Sequence, residues 1–461
     1  MQQGMFGLNC GAQGVRIKDM TLIRIFILIC LCANFSSVIM AQEGQNNIRH
    51  VYNRLTLKDA LQSADTINFQ VMMANARLEQ TIARISQAQS DLLPHLEGDV
   101  SGGRQTADLR SQGIQFPGIG THIGPYNNFD ARARVTMALF DPSAFERFRA
   151  AKKGENLSRA DLEKTREDIL ALVATLFTDA QRKQQTAGLL KTILDRDQMA
   201  NDLGKNNLTQ GTGTLLESSR FKSEFEETQY LYVQAQYQAK EAFLDLEAAL
   251  QLPLDRPLEL VDDSDFLRTL EDNAAISFNN AANAEVVLAS SELEARKADQ
   301  NTAIADFLPK ISGSADYGRS GESPGNGSNT YSVGLKASIP IWEGGSNQAK
   351  LKEVKGQVKE AQANLLDAAQ QEQVNMAKAR AAIVEAGDLR QAKIEKHQTF
   401  QKALQIAWHA QETGSGTVFQ VMQAKANLAQ AEDEYNEAQA TWVMSHINLL
   451  HAEGRLRDLI K

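Results

Sequence analysis

The chain has seven histidines, His50, His95, His122, His397, His409, His446 and His451. None lies at metal-ligand spacing from a second histidine or from a cysteine. His446 and His451 share one helical run but stand five residues apart, so they do not stack on one face. The three cysteines, Cys10, Cys30 and Cys32, all fall in the first 41 residues. Beyond that point no disulfide, thiolate ligand or cysteine nucleophile is available. No Ser/His/Asp constellation, P-loop or dinucleotide fingerprint occurs. The expectation is therefore no enzyme, no cofactor and no metal, with any energy supplied by a partner. The net charge of -9 and pI near 5.5 leave no basic stripe to neutralise phosphates, which argues against a nucleic-acid partner.

The elements, rather than a reactive group, carry the information. Of 461 residues 43% are hydrophobic but only 6% aromatic, and the mean hydropathy is -0.35, which suits long, thin, Ala-rich helical layers better than one large core. Arg16, Lys18 and Arg24 precede the apolar run Ile25 to Ala33, and Ser36, Ser37 and Ala41 supply small residues near a cut. We read 1–41 as an export signal, with Met20 as an alternative start, and 42–54 as an N-terminal extension. The alternative, an anchoring helix, needs about 20 apolar residues, and this run is shorter.

The organising event is Leu93-Pro94-His95 and its echo Leu308-Pro309-Lys310. Proline lacks an N–H and pushes the preceding residue out of the helical region, so at Pro94 and Pro309 helix gives way to extended chain. The first repeat, 55–275, is predicted as a helix over 55–92, strands over 95–103 and 131–140, helices over 143–203 and 214–250, and a connector over 251–275. The second, 276–461, follows the same plan: a helix over 276–307, strands over 310–318 and 331–341, and helices over 346–411 and 417–455. Val333, Leu335, Ala337, Ile339 and Ile341 alternate with polar or small residues, as do Ala133, Val135, Met137 and Leu139. Leu162, Ile169, Val173, Leu176 and Ala180 step by seven or by three and four, a coiled-coil seam. The turns Gln210-Gly211-Thr212-Gly213-Thr214 and Thr413-Gly414-Ser415-Gly416-Thr417 match in position.

Two strands per repeat give four per chain, too few to close a barrel. Open sheet edges are not tolerated in lipid, so copies must associate. Helices with polar outer faces belong in water, and strands continuing into such helices make a conduit. Phe140 and Trp342, at matching strand ends, suit an aromatic belt at the membrane surface; packing of a strand end accounts for them equally well.

These features resemble the TolC family of outer-membrane efflux proteins. The resemblance rests on Leu55-Thr56-Leu57, the two Leu-Pro turns, Ile339-Pro340-Ile341-Trp342-Glu343-Gly344-Gly345 and Gly414-Ser415-Gly416-Thr417-Val418-Phe419-Gln420-Val421, and it covers nearly everything after the leader. It implies a mainly α fold with a membrane β part, assembled as a homotrimer. A twelve-stranded barrel would sit in outer-membrane lipid and continue as a periplasmic α-helical barrel. The family implies an exit duct for a tripartite efflux pump or type I secretion system. Its partners would be a periplasmic adaptor (membrane fusion) protein and an inner-membrane RND or ABC transporter. Gly211, Thr212, Gly213, Gly414, Ser415 and Gly416 would form the adaptor-docking tips. Glu217, Gln420 and Gln423 match the family's entrance gate; only Glu217 is acidic, and it is equally an ordinary solvated helix residue. The rival reading is a secreted or surface coiled-coil stalk or adhesin without a conduit.

Overall fold

The computed structural model describes residues 54–108, 113, 122–254, 258–261, 268, 270 and 283–460. The export signal and the extension up to residue 53 therefore lie outside the described residues.

The chain opens with β1 (Arg54–Thr56), which pairs in parallel with β4 (Glu259–Val261). Thr56 then caps α1 (Leu57–Ile67) through a capping box with Asp59, which satisfies two otherwise orphaned N–H groups. The predicted helix over 55–92 is in fact strand, helix, break and helix. At Asn68 the backbone is extended, and α2 (Phe69–Ser90) restarts from the Asn68 side-chain oxygen, which accepts from the Gln70 N–H. Its amide nitrogen donates to the carbonyl of Ala249, at the end of α4 (Leu215–Ala249). Asn283 does the same in the second repeat: it caps α5 (Ala284–Ala305) and donates to Ala452 O, the last residue of α7 (Val418–Ala452). Each shorter pair thus stacks end to end beside a long helix, α3 (Pro142–Thr209) or α6 (Ser346–Glu412). At 68 and 67 residues the long helices run roughly 100 Å each.

The contacts define one layer. Towards the hairpin tips the order is α4, α3, α7, α6; towards the strands it is α2, α3, α5, α6. Small residues line the contacts, among them buried Ala160, Ala174, Ala180, Ala235, Ala239, Ala431 and Ala438, so the backbones approach closely. The α3 and α7 helices are tied by Arg182, which donates to Asp433 Oδ1 at 3.0 Å. The layer has two free sides, along α2 and α4 and along α6.

The strands β2 (His95–Asp108), β3 (His122–Phe140), β5 (Lys310–Gly321) and β6 (Gly327–Ser338) form one antiparallel sheet in that order. They differ from the predicted spans. β3 begins nine residues earlier than expected, because Gly124 and Pro125, which read as loop, fall within a register shift between the pairs Gln105–Tyr126 and Ala107–Ile123 rather than ending the ladder. β6 stops at Ser338 rather than 341, since Pro340 has no N–H to offer a ladder. The last helix ends at Ala452, three residues short of the predicted 455. Gly454 then adopts a left-handed φ of 65°, and a 3₁₀ turn (Leu456–Leu459) folds back onto α3. Residues 276–282 of the predicted helix over 276–307 lie outside the described residues.

Candidate functional site

The sheet separates its two faces by chemistry. Directly opposed residues share a face, so Leu96, Val135, Ala315 and Val333 form one row, and Met137, Gly313 and Leu335 another. Gly98, Ala133, Tyr317 and Tyr331 form the next. Leu96, Val100, Tyr331, Val333 and Leu335 are each more than 70% exposed, so none of the described residues covers that face. The opposite face carries Glu97, Arg134, Asp316 and Ser332 in one row and Asp99, Arg132 and Gly318 in the next. There Arg132 bridges Asp130 at 2.7 Å and Asp316 at 3.0 Å, and the Ser332 hydroxyl donates to Asp316. One face suits hydrocarbon and the other water, over strands of 12 to 19 residues. No helix among the described residues is long and apolar enough to cross a membrane.

Phe140 closes β3 opposite Ile311, on the apolar face. Trp342 does not match it: it stands four residues beyond the end of β6, in an exposed irregular segment. Pro94 and Pro309 each lie between the end of a helix and the first strand residue, with His95 and Lys310 beginning the ladders.

At the far end are the two helical turns. Gly211 and Gly414 both take φ of 73°, a left-handed conformation that glycine adopts at little cost. The N–H groups of Thr212 and Gly213 donate to the Asn207 carbonyl, and those of Ser415 and Gly416 to the Ala410 carbonyl. A Cβ on Gly213 would meet Asn207 Cβ at 2.9 Å, and one on Gly416 would meet Ala410 at 3.0 Å, so both turns require glycine for closeness. Thr214 and Thr417 then cap the returning helices by accepting from the N–H of Glu217 and Gln420 respectively.

The gate candidates separate here. Glu217 and Gln420 occupy the same position of equivalent helices. Gln420, however, turns back and accepts from the Thr417 N–H at 2.8 Å, completing a capping box. Gln423 donates to Asn427. Glu217 is exposed, and its carboxylate has no partner among the described residues. Sequence reading missed Leu215 and Leu216 beside it, 70% and 82% exposed, for which an apolar pair directly after a helix cap was the available signal. Among the described residues no group of side chains could hold a metal ion.

The α1 helix and the C-terminal turn clamp α3 at mid-length. Glu167, 4% exposed, accepts from the N–H of Leu456 at 2.9 Å and of Arg457 at 3.4 Å. Burial pushes its carboxyl above the ordinary range despite those two bonds. Asp168 is held below its usual value, first by the hydrogen bond from His451.

This duplicated architecture has known relatives. The profile described as "Outer membrane efflux protein" matches residues 60–251 and 279–455. The chain belongs to the outer membrane efflux protein family. Its fold is that of the Campylobacter jejuni CmeC outer membrane channel, with a TM-score of 0.72 at 16% identity over 86% of this chain and 85% of that one. The outer membrane protein VceC of Vibrio cholerae matches with a TM-score of 0.67 at 17% identity, over 87% and 96% of the two chains. Among curated proteins, the alkaline protease secretion protein AprF of Pseudomonas aeruginosa is 22% identical. That match spans 60% of this chain and 59% of AprF. Family membership places the chain in the outer membrane, extending into the periplasm.

Proposed function

We propose that three copies of this chain close into an exit duct that passively conducts cargo across the periplasm and outer membrane. The observation that carries this is the unfinished state of both halves of one copy. Among the described residues β2 and β6 each have an unpaired edge, in a sheet with one exposed apolar face and one charged face. An open edge in lipid leaves N–H and C=O groups without partners, so the edges must meet those of other copies. The helical layer is unfinished on the same sides. On α4, Tyr230, Val233 and Tyr237 lie opposite the buried Thr228, Ala235 and Ala242. On α6, Leu366, Val384 and Ile406 lie opposite the buried Ala361, Ala379 and Ala386. Apolar free sides at both ends of the layer support lateral association. Four strands and four helical columns from each of three copies then give a barrel and a tube of twelve.

In this reading the charged face of the sheet lines the pore, and the turns at Gly211–Gly213 and Gly414–Gly416 form the periplasmic mouth. A periplasmic adaptor docks there and links the duct to an RND or ABC transporter in the inner membrane. Cargo follows from that transporter: small molecules for an efflux pump, proteins for type I secretion, the latter in line with what AprF is named for. A coiled-coil stalk gives no reason for an exposed apolar sheet face.

The test places a cysteine at Ser415, the single one in the chain once its leader is cleaved, and identifies crosslinked products in intact cells. Capture of an adaptor supports the duct and names its pathway. Reaction of that cysteine with a membrane-impermeant reagent from outside the cell would reverse the topology and sink the reading.

A further inference from the structure

The base of α3 carries charge that the duct itself does not explain. In a chain of net charge -9, residues 142–159 hold five basic side chains and only two acidic ones. Two of the cations sit on aromatic rings one turn nearer the strands. The Arg149 guanidinium lies 5.1 Å from the centre of Phe145, and Lys152 Nζ 4.5 Å from that of Phe148. Side chains on a helix lean towards its N-terminus, which here is the membrane end. The two cations therefore reach back to levels roughly 5 and 9 Å beyond the first residue of α3. The lipid headgroup zone is itself about 5–7 Å deep on each side of the hydrocarbon.

Beside them, between α3 and α5, lies a groove of about 730 Å³ whose charged lining is four cations, Arg149, Lys152, Lys153 and Lys297, and three acids, Glu146, Glu155 and Glu294. Glu294 is shared by two ammonium groups, Lys297 at 3.0 Å and Lys153 at 3.4 Å. Arg149 pairs with Glu146. Lys152 has no acidic partner among the described residues. Glu155 pairs with Arg159, so Lys152 is the lining cation left over, and the charged lining carries one net positive charge.

Its direction follows from the contacts of α3. The helix meets α2 through Arg147, Gly154, Ser158 and Asp161, and α5 through Lys153 and Lys164. At 3.6 residues per turn these two faces lie roughly 110° apart on the side of Ala150 and Leu157. Phe145, Phe148, Arg149 and Lys152 occupy the wider arc, which is the convex side of a layer that closes into a tube. Further along, the same arc receives α1 and the C-terminal turn, through Arg166 to Asp65 and Arg457 to Glu163. The groove thus opens outward. Exposed Phe145 continues the apolar strip that ends at Phe140, itself on the lipid-facing side of the sheet.

We infer that this groove binds the headgroup of an anionic phospholipid of the periplasmic leaflet. Lys152 and Arg149 meet the phosphate, and the acyl chains rise past Phe145 and Phe140. The inference rests on the seating of the strands in the outer membrane.

The test uses the full-length oligomer reconstituted in phosphatidylcholine with and without phosphatidylglycerol, then extracted for native mass spectrometry to count retained lipid. A cation near an anionic surface contributes about fivefold in affinity, so Lys152→Gln alone should weaken phosphatidylglycerol retention about fivefold and Arg149→Gln with Lys152→Gln about 25-fold. Lys402→Gln, far along α6, should leave it unchanged. Equal retention by wild type and the double variant overturns the lipid site while leaving the duct intact. Displacement of phosphatidylglycerol by millimolar inorganic phosphate also overturns it, in favour of a free-anion site. A chain that fails to enter lipid of either composition overturns the membrane seating itself.

Discussion

The two places where a strand hands over to a long helix follow one plan and are built differently. At the first, Asp141 caps α3 by accepting from the Ala144 N–H at 3.0 Å and from the Ser143 hydroxyl at 2.7 Å, and Pro142 presets the first helical turn. Burial pushes the Asp141 carboxyl up, but those two hydrogen bonds and nearby Lys310 and Arg147 outweigh it and hold it below its ordinary value. At the second, Gly344 and Gly345 take φ of 63° and 84°, and α6 starts with no side-chain cap. The difference tracks position in the layer. Along its length α3 packs against α1, α2, α4, α5 and α7, whereas among the described residues the main contacts of α6 are with α5 and α7. Duplication preserved the topology, and in the proposed assembly the looser joint falls where the second long helix meets another copy.

The strongest way to break this contrast is to release α3 at its middle. Glu167→Ala leaves the buried N–H of Leu456 and the part-buried N–H of Arg457 without an acceptor and should lower unfolding stability by about 3 kcal/mol in chemical denaturation. A loss below about 0.5 kcal/mol, the range of a neutral surface change, would mean that the clamp does not anchor the helix.

A paired comparison of the junctions comes next. Asp141→Ala should cost about 1 kcal/mol, the usual value of a lost cap. Glu343→Ala, at the equivalent loose joint, should fall within about 0.5 kcal/mol of zero, since that side chain caps nothing. Equal costs at both sites would erase the mechanical difference. Hydrogen exchange is expected to be faster over 339–345 than over 139–145.

The smallest effect concerns pH. Asp168 has a folded pKa below its unfolded value, so the stability it contributes is present above about pH 4 and is lost as pH falls through the folded value. The pair with His451 is about half exposed and screened, so Asp168→Asn should cost less than about 1 kcal/mol at neutral pH and nothing in acid. Thermal melts of the two proteins should converge as pH is lowered.

What the sequence made legible was local. Pro94 and Pro309 mark helix-to-strand changes through backbone sterics, and alternation in Val333, Leu335 and Ala337 marks a half-exposed strand. The left-handed turns were visible as Gly-X-Gly. What escaped was set by distant partners. Leu55 pairs with Leu260 across the chain, so β1 read as the start of a helix. The break at Asn68 depends on the Ala249 carbonyl, 181 residues away. The return of Leu456 onto Glu167 likewise has no periodic signature. At the candidate gate, sequence position aligned Gln420 with Glu217, but only the structure shows that the Gln420 side chain closes a cap while the Glu217 carboxylate is exposed.

The central claim is that copies of this chain enclose a water-filled path. Oligomers extracted from outer membranes and added to a planar lipid bilayer should give discrete single-channel current steps. Oligomers that insert into the bilayer and pass no ions would contradict it.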